Sequence, residues 1–150
     1  MGVLKVDTIH PTHECFDDAL GFMEKRVLEA LRAAAPPPLH LILVHAICLM
    51  PAEQPNAGKL FVHAWVEEDD LCWDAGIANG TFRIVYAVER QEFYAHLRPQ
   101  HVTKYTMKEA YEENKKSGHH GPWKDEYLPL CRKKSEANES SSEAPSLPTS

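Results

Sequence analysis

Apolar residues recur at intervals of three and four along the first part of the chain. Phe16, Leu20, Met23, Val27, Ala30 and Leu31 fall on one stripe, which predicts a helix from about Thr12 to Ala34. Thr12, just after Pro11, is placed to cap it, and Glu14, Asp17 and Asp18 suit the positive end of its dipole. Pro36-Pro37-Pro38 ends it. The period then changes. Leu39 to Met50 is apolar on both faces, as expected of a central strand. After a loop over Pro51 to Gly58, the segments Lys59 to Glu67, Leu71 to Ala75 and Thr81 to Glu89 read as an antiparallel meander. The turns between them are Glu68-Asp69-Asp70, expected to be solvated together with Glu67, and Gly76 to Gly80.

The flanks are less regular. The first ten residues read as a short strand or lead-in, with Val3, Leu4, Val6 and Ile9. Glu92 to Lys104 has no clear period and is expected to hold a short helical turn. Thr106-Met107-Lys108-Glu109 is a capping box that opens a helix to about Ser117, where Gly118 can end it. His119-His120-Gly121-Pro122-Trp123 reads as a turn with an aromatic anchor. The expected class is therefore α+β: one N-terminal helix packed on an antiparallel sheet of about four strands, with a further helix following. Residues 1–131 are expected to form one domain. From Arg132 to residue 150, Ser, Glu, Pro and Ala dominate, which predicts a disordered tail.

Composition narrows the partners. Of 150 residues, 43% are hydrophobic and 25% charged, an ordinary globular balance. A formal charge of −6 argues against nucleic acid or an anionic membrane as partner, since both attract basic patches. Met1 to His10 has no secretory pattern, and Leu39 to Met50 is too short to span a bilayer. A cytoplasmic protein with reduced thiols is the resulting expectation. Cys15, Cys48, Cys72 and Cys131 show no CxxC pairing, so each is to be explained as core, ligand or nucleophile.

The candidate chemistry begins on the meander. Side chains alternate along a strand, so Phe61, His63 and Trp65 share one face. With a two-residue turn at Asp69-Asp70, Trp65 lies opposite Asp74; with a four-residue turn, His63 does. Both registers put His63 and Asp74 on the same face, as direct or diagonal neighbours within hydrogen-bonding reach. A carboxylate beside an imidazole fixes its tautomer and stabilises its protonated form, as in a nucleophilic triad. Cys15 falls in the first turn of the long helix, where backbone N–H groups and the dipole favour a thiolate. Its own N–H is also placed to help an oxyanion. Cys48, in mid-strand, and Cys72, expected on the face opposite Asp74, fit simple packing.

A cysteine opening a helix, a strand bearing Val62-His63-Ala64-Trp65-Val66-Glu67, and an aspartate within Cys72-Trp73-Asp74-Ala75 together resemble the transglutaminase-like branch of the papain-like cysteine hydrolases. The resemblance covers roughly residues 12 to 90, and His-Ala-Trp-Val-Glu is its most specific part. It implies a papain-like core and a thiol-dependent acyl-transfer enzyme that hydrolyses a peptide or amide bond through an acyl-thioester at Cys15. His63 would be the base and Asp74 its orienter, with no cofactor. His13, Trp65 and Trp123 are the candidates to contact substrate. Two other readings stand beside it. One is a non-catalytic binding or accessory protein that keeps the fold. The other is a small zinc-stabilised module built on His10, His13 and Cys15, with His119 or His120 adding ligands.

Overall fold

The computed structural model of the chain describes residues 2–7, 15–34, 40–78 and 82–130, with the backbone alone at 76–78 and 82–83. The elements are β1 (Lys5–Asp7), α1 (Cys15–Arg32), β2 (Leu41–Leu49), β3 (Leu60–Glu68), β4 (Leu71–Ala78), β5 (Phe82–Glu89), α2 (Arg90–Leu97), β6 (Gln100–Thr106) and α3 (Met107–Ser117), then a 3₁₀ turn at Asp125–Tyr127. All strand pairs are antiparallel and form one sheet in the order β1-β5-β4-β3-β2-β6. The α+β expectation holds, with six strands rather than about four. β6 escaped the pattern because it is short and polar, with Tyr105 alone buried along it. The expected cap at Thr12, the residues His10 and His13, Cys131 and the expected tail lie outside the described residues.

Both faces of the sheet are covered. On one, Phe16, Ala19, Leu20, Phe22 and Met23 of α1 pack against Leu41 and Leu43 of β2, Val62, Ala64 and Val66 of β3, and Trp73 of β4. On the other, Phe93 and Leu97 of α2 pack against Val44, Ala46, Cys48, Trp65, Cys72 and Val88. Burial of each such large apolar side chain contributes roughly 1.5–3 kcal/mol. The stripe predicted for α1 fades towards its end, where Leu31 is 70% exposed. Ion pairs pin this half of the helix: Arg26 to Glu68 at 2.7 Å and Lys25 to Asp7 at 2.8 Å. Among the described residues, no helix is long and apolar enough to cross a membrane.

The feature that positions the site is a split in the middle of the sheet. β3 and β4 join through Asp69-Asp70, with Asp69 at a φ of 54°. They pair only at Glu68–Leu71, Glu67–Cys72 and Val66–Trp73. Beyond that point β3 keeps pairing with β2 as far as Leu60–Leu49, and β4 with β5 as far as Ala78–Phe82. The two halves of the sheet thus part at the end that carries His63 and Asp74. This is the end at which α1 begins.

Candidate active site

His63 and Asp74 face each other across the split. The register is that of the two-residue turn, so the pair is diagonal rather than directly opposite. His63 Nε2 and Asp74 Oδ1 are 2.8 Å apart, and the side chains are 13% and 7% exposed. Asp74 Oδ1 also accepts the backbone N–H of Ala75 at 2.9 Å. A third group comes from β5. Tyr86 stands opposite Asp74 in the β4–β5 ladder, and burial, together with the carboxylate, pushes the pKa of the phenol up.

Cys15, the first residue of α1, lies close enough to His63 to favour the charged form of its ring. It is partly exposed, whereas Cys48 and Cys72 are buried. Helix α1 packs on the sheet face opposite His63, so an unbroken β3–β4 ladder would separate the two. The split removes that barrier. The imidazole therefore has the Asp74 carboxylate at Nε2 and Cys15 nearby. Burial disfavours the imidazolium, but the Asp74 carboxylate and the Cys15 thiol outweigh it and raise the His63 pKa to about 10. The other thiols behave differently. Burial, with Asp74 nearby, pushes Cys48 up to about 12, and burial with Glu67 nearby pushes Cys72 up further. Both are held as neutral packing thiols. Cys72 shares the face of Asp74 rather than lying opposite it, since residues two apart on a strand point the same way.

Trp65 lies beside His63, with ring centroids 5.9 Å apart, but it is fully buried. Its indole N–H donates to Glu67 Oε2 at 3.1 Å. Glu67 is not a solvated turn residue as its charge suggested. It is 3% exposed and also accepts from the Tyr94 hydroxyl at 2.6 Å and from Lys104 Nζ at 3.2 Å, with Arg90 3.8 Å away. In His-Ala-Trp-Val-Glu the glutamate thus holds the tryptophan, and the tryptophan backs the histidine.

Trp123 and Cys15 both border the core cluster on the α1 side of the sheet. Among the described residues the Trp123 ring packs on His45 and Tyr105, with centroids 5.1 and 5.0 Å away. His45 is fully buried between Phe16, Tyr105, Trp123 and Tyr127, and neither ring nitrogen has a hydrogen-bond partner there. Burial lowers its pKa to about 3, which keeps it neutral. The segment carrying Trp123 closes this cage and is tied to the start of α1 by His120 Nδ1 and Asp17 Oδ1, 2.5 Å apart.

Sequence reasoning missed Tyr86, Glu67 and His45 as parts of this region. For Tyr86 a signal was present: strand parity puts it on the Asp74 face once the β4–β5 register is known. Glu67 shares the face of His63 and Trp65 by the same rule, and its charge masked that. Among the described residues, no group of three or more His, Cys, Asp or Glu side chains is arranged to hold a metal ion. The chain matches no family model, and no curated protein or solved structure is detectably similar to it.

Proposed function

We propose that this protein is a thiol-dependent acyl-transfer enzyme that hydrolyses a peptide or amide bond. The observation that carries the reading is the His63 imidazole, 2.8 Å from the Asp74 carboxylate and near Cys15 at the start of α1. In this scheme His63 takes the Cys15 proton, and Asp74 stabilises the imidazolium that results. The thiolate attacks the substrate carbonyl carbon, forming a C–S bond and a tetrahedral oxyanion. Collapse of that species breaks the C–N bond, and the imidazolium gives its proton to the departing amine. A thioester remains on Cys15. Water then attacks it with His63 as base, releasing the carboxylic acid and returning the proton to sulfur.

The placement of Cys15 at the start of an 18-residue helix supports the reading, because backbone N–H groups at a helix start can stabilise the oxyanion that forms on attack. Iodoacetamide at pH 6.5, followed by peptide mass mapping, tests it. Cys15 in the unsubstituted protein is expected to react roughly tenfold faster than Cys15 in His63→Ala. Equal, slow labelling in both would overturn the enzyme reading and leave the non-catalytic one.

A further inference from the structure

We propose that Tyr86 is a positioning residue of this site, its hydroxyl holding the Asp74 carboxylate in the orientation that faces His63; the assignment rests on the acyl-transfer reading above. Tyr86 is the direct partner of Asp74 across the β4–β5 ladder, so both side chains leave the sheet on the same face. There the Asp74 carboxylate is near enough to raise the pKa of the phenol. Asp74 Oδ1 already receives the Ala75 N–H at 2.9 Å and faces His63 Nε2 at 2.8 Å. A carboxylate has about four acceptor positions, so these two leave room for a phenol donor.

The split sheet explains why such a tether is needed. Across most antiparallel pairs, ladder hydrogen bonds on both sides hold two facing side chains at a fixed distance. Here β3 and β4 are unpaired beyond Val66–Trp73, so no ladder fixes the strand of Asp74 against the strand of His63. β4 and β5 stay paired past this point. Asp74 therefore takes its orientation from β5, and Tyr86 is the β5 side chain that supplies it. The phenol is partly buried against the apolar cluster around Trp65, and burial with the carboxylate beside it pushes its pKa up, so it remains a donor at every physiological pH. Among the described residues, Cys48 and Cys72 also feel the Asp74 charge, and burial keeps both protonated.

The test is the substitution Tyr86→Phe, which keeps the ring and removes the hydroxyl. The readout is the pH titration of the His63 ring nitrogens by ¹⁵N NMR, with Cys15 alkylation at pH 7 as a second measure. Loss of the tether lowers the His63 midpoint by about one unit and slows alkylation severalfold. Asp74→Asn lowers both further. The double variant matches Asp74→Asn alone, because Tyr86 acts only through that carboxylate. If Asp74→Asn moves the midpoint and Tyr86→Phe does not, or if the two effects add, the Tyr86 assignment falls while the enzyme reading stands. If Asp74→Asn leaves the midpoint in place, the enzyme reading itself falls. A reading that needs no change at Tyr86 comes from its hydroxyl proton, expected to exchange slowly in the unsubstituted protein and to be lost in Asp74→Ala. Its survival there would overturn the tether.

Discussion

The Tyr94 hydroxyl donates to Glu67 Oε2 across 2.6 Å, tying helix α2 to the hairpin that carries His63. Glu67 is buried, and its remaining contacts with Trp65 and Lys104 leave it no exposed lone pair to lose cheaply. Glu67→Ala strands the indole N–H and the phenol in an apolar cluster. The expected cost is about 2–4 kcal/mol, read as a fall in the urea midpoint. Because Trp65 backs His63, the same variant should also slow Cys15 alkylation. A cost below about 0.5 kcal/mol, the level of an ordinary surface change, would count against this network.

His45 makes stability fall on acidification. Its pKa is about 3 when folded and 6.5 when free, so the unfolded chain binds the extra proton between those values. The contribution is complete above pH 6.5 and shrinks as pH drops towards 3. The slope from this one group approaches about 1.4 kcal/mol per pH unit. Denaturant titrations across that range should show it, and His45→Phe should flatten it.

His63 has the opposite sign. Its folded pKa lies near 10, above the free value of 6.5, because Asp74 and Cys15 outweigh the effect of burial. Its contribution is complete below pH 6.5 and is lost as pH rises through 10. Stability should therefore decline between neutral pH and pH 10, and Asp74→Asn should remove most of that decline. An unchanged alkaline limb in Asp74→Asn would mean that the pair is not coupled as its geometry requires.

Gly121 holds the cage shut. It sits at a φ of +113°, and an added Cβ would meet His45 Cε1 at 2.7 Å. Backbone strain and overpacking each cost about 1–3 kcal/mol, so Gly121→Ala should destabilise by at least about 2 kcal/mol. Relief by His45→Ala in the double variant would show that the clash is with that ring.

Thr106 gives a smaller effect of a different kind. Its side chain accepts from Glu109 N at 3.1 Å, while its own N–H donates to Glu109 Oε1 at 3.0 Å. Thr106→Ala should cost about 1 kcal/mol, seen in thermal unfolding, and leave Cys15 labelling unchanged.

Local rules carried the reading as far as local physics determines structure. The capping box at Thr106, the stop at Gly118 and the strands around His63 and Asp74 follow from side-chain chemistry and a period of two, and all are present. That His63 and Asp74 share a face needed parity alone, while the diagonal register followed from the turn. What could not be read depends on how the sheet closes. β6 gains its place by pairing with β2, not by its own composition. Glu67 and His45 look like solvent-facing or simple strand residues until neighbours from α2, β6 and the 118–123 segment bury them. The divergence of β3 from β4, on which the approach of Cys15 depends, leaves no mark in the alternation of either strand.

That divergence should be visible to the solvent. In an antiparallel strand, successive amides point alternately to the left and right neighbour. From Leu60 to Trp65, those aimed at β2 are bonded, while those aimed at β4 have lost their ladder partners. Deuterium should therefore enter this stretch of β3 at every second amide, a comb of fast and slow sites in an otherwise protected central strand.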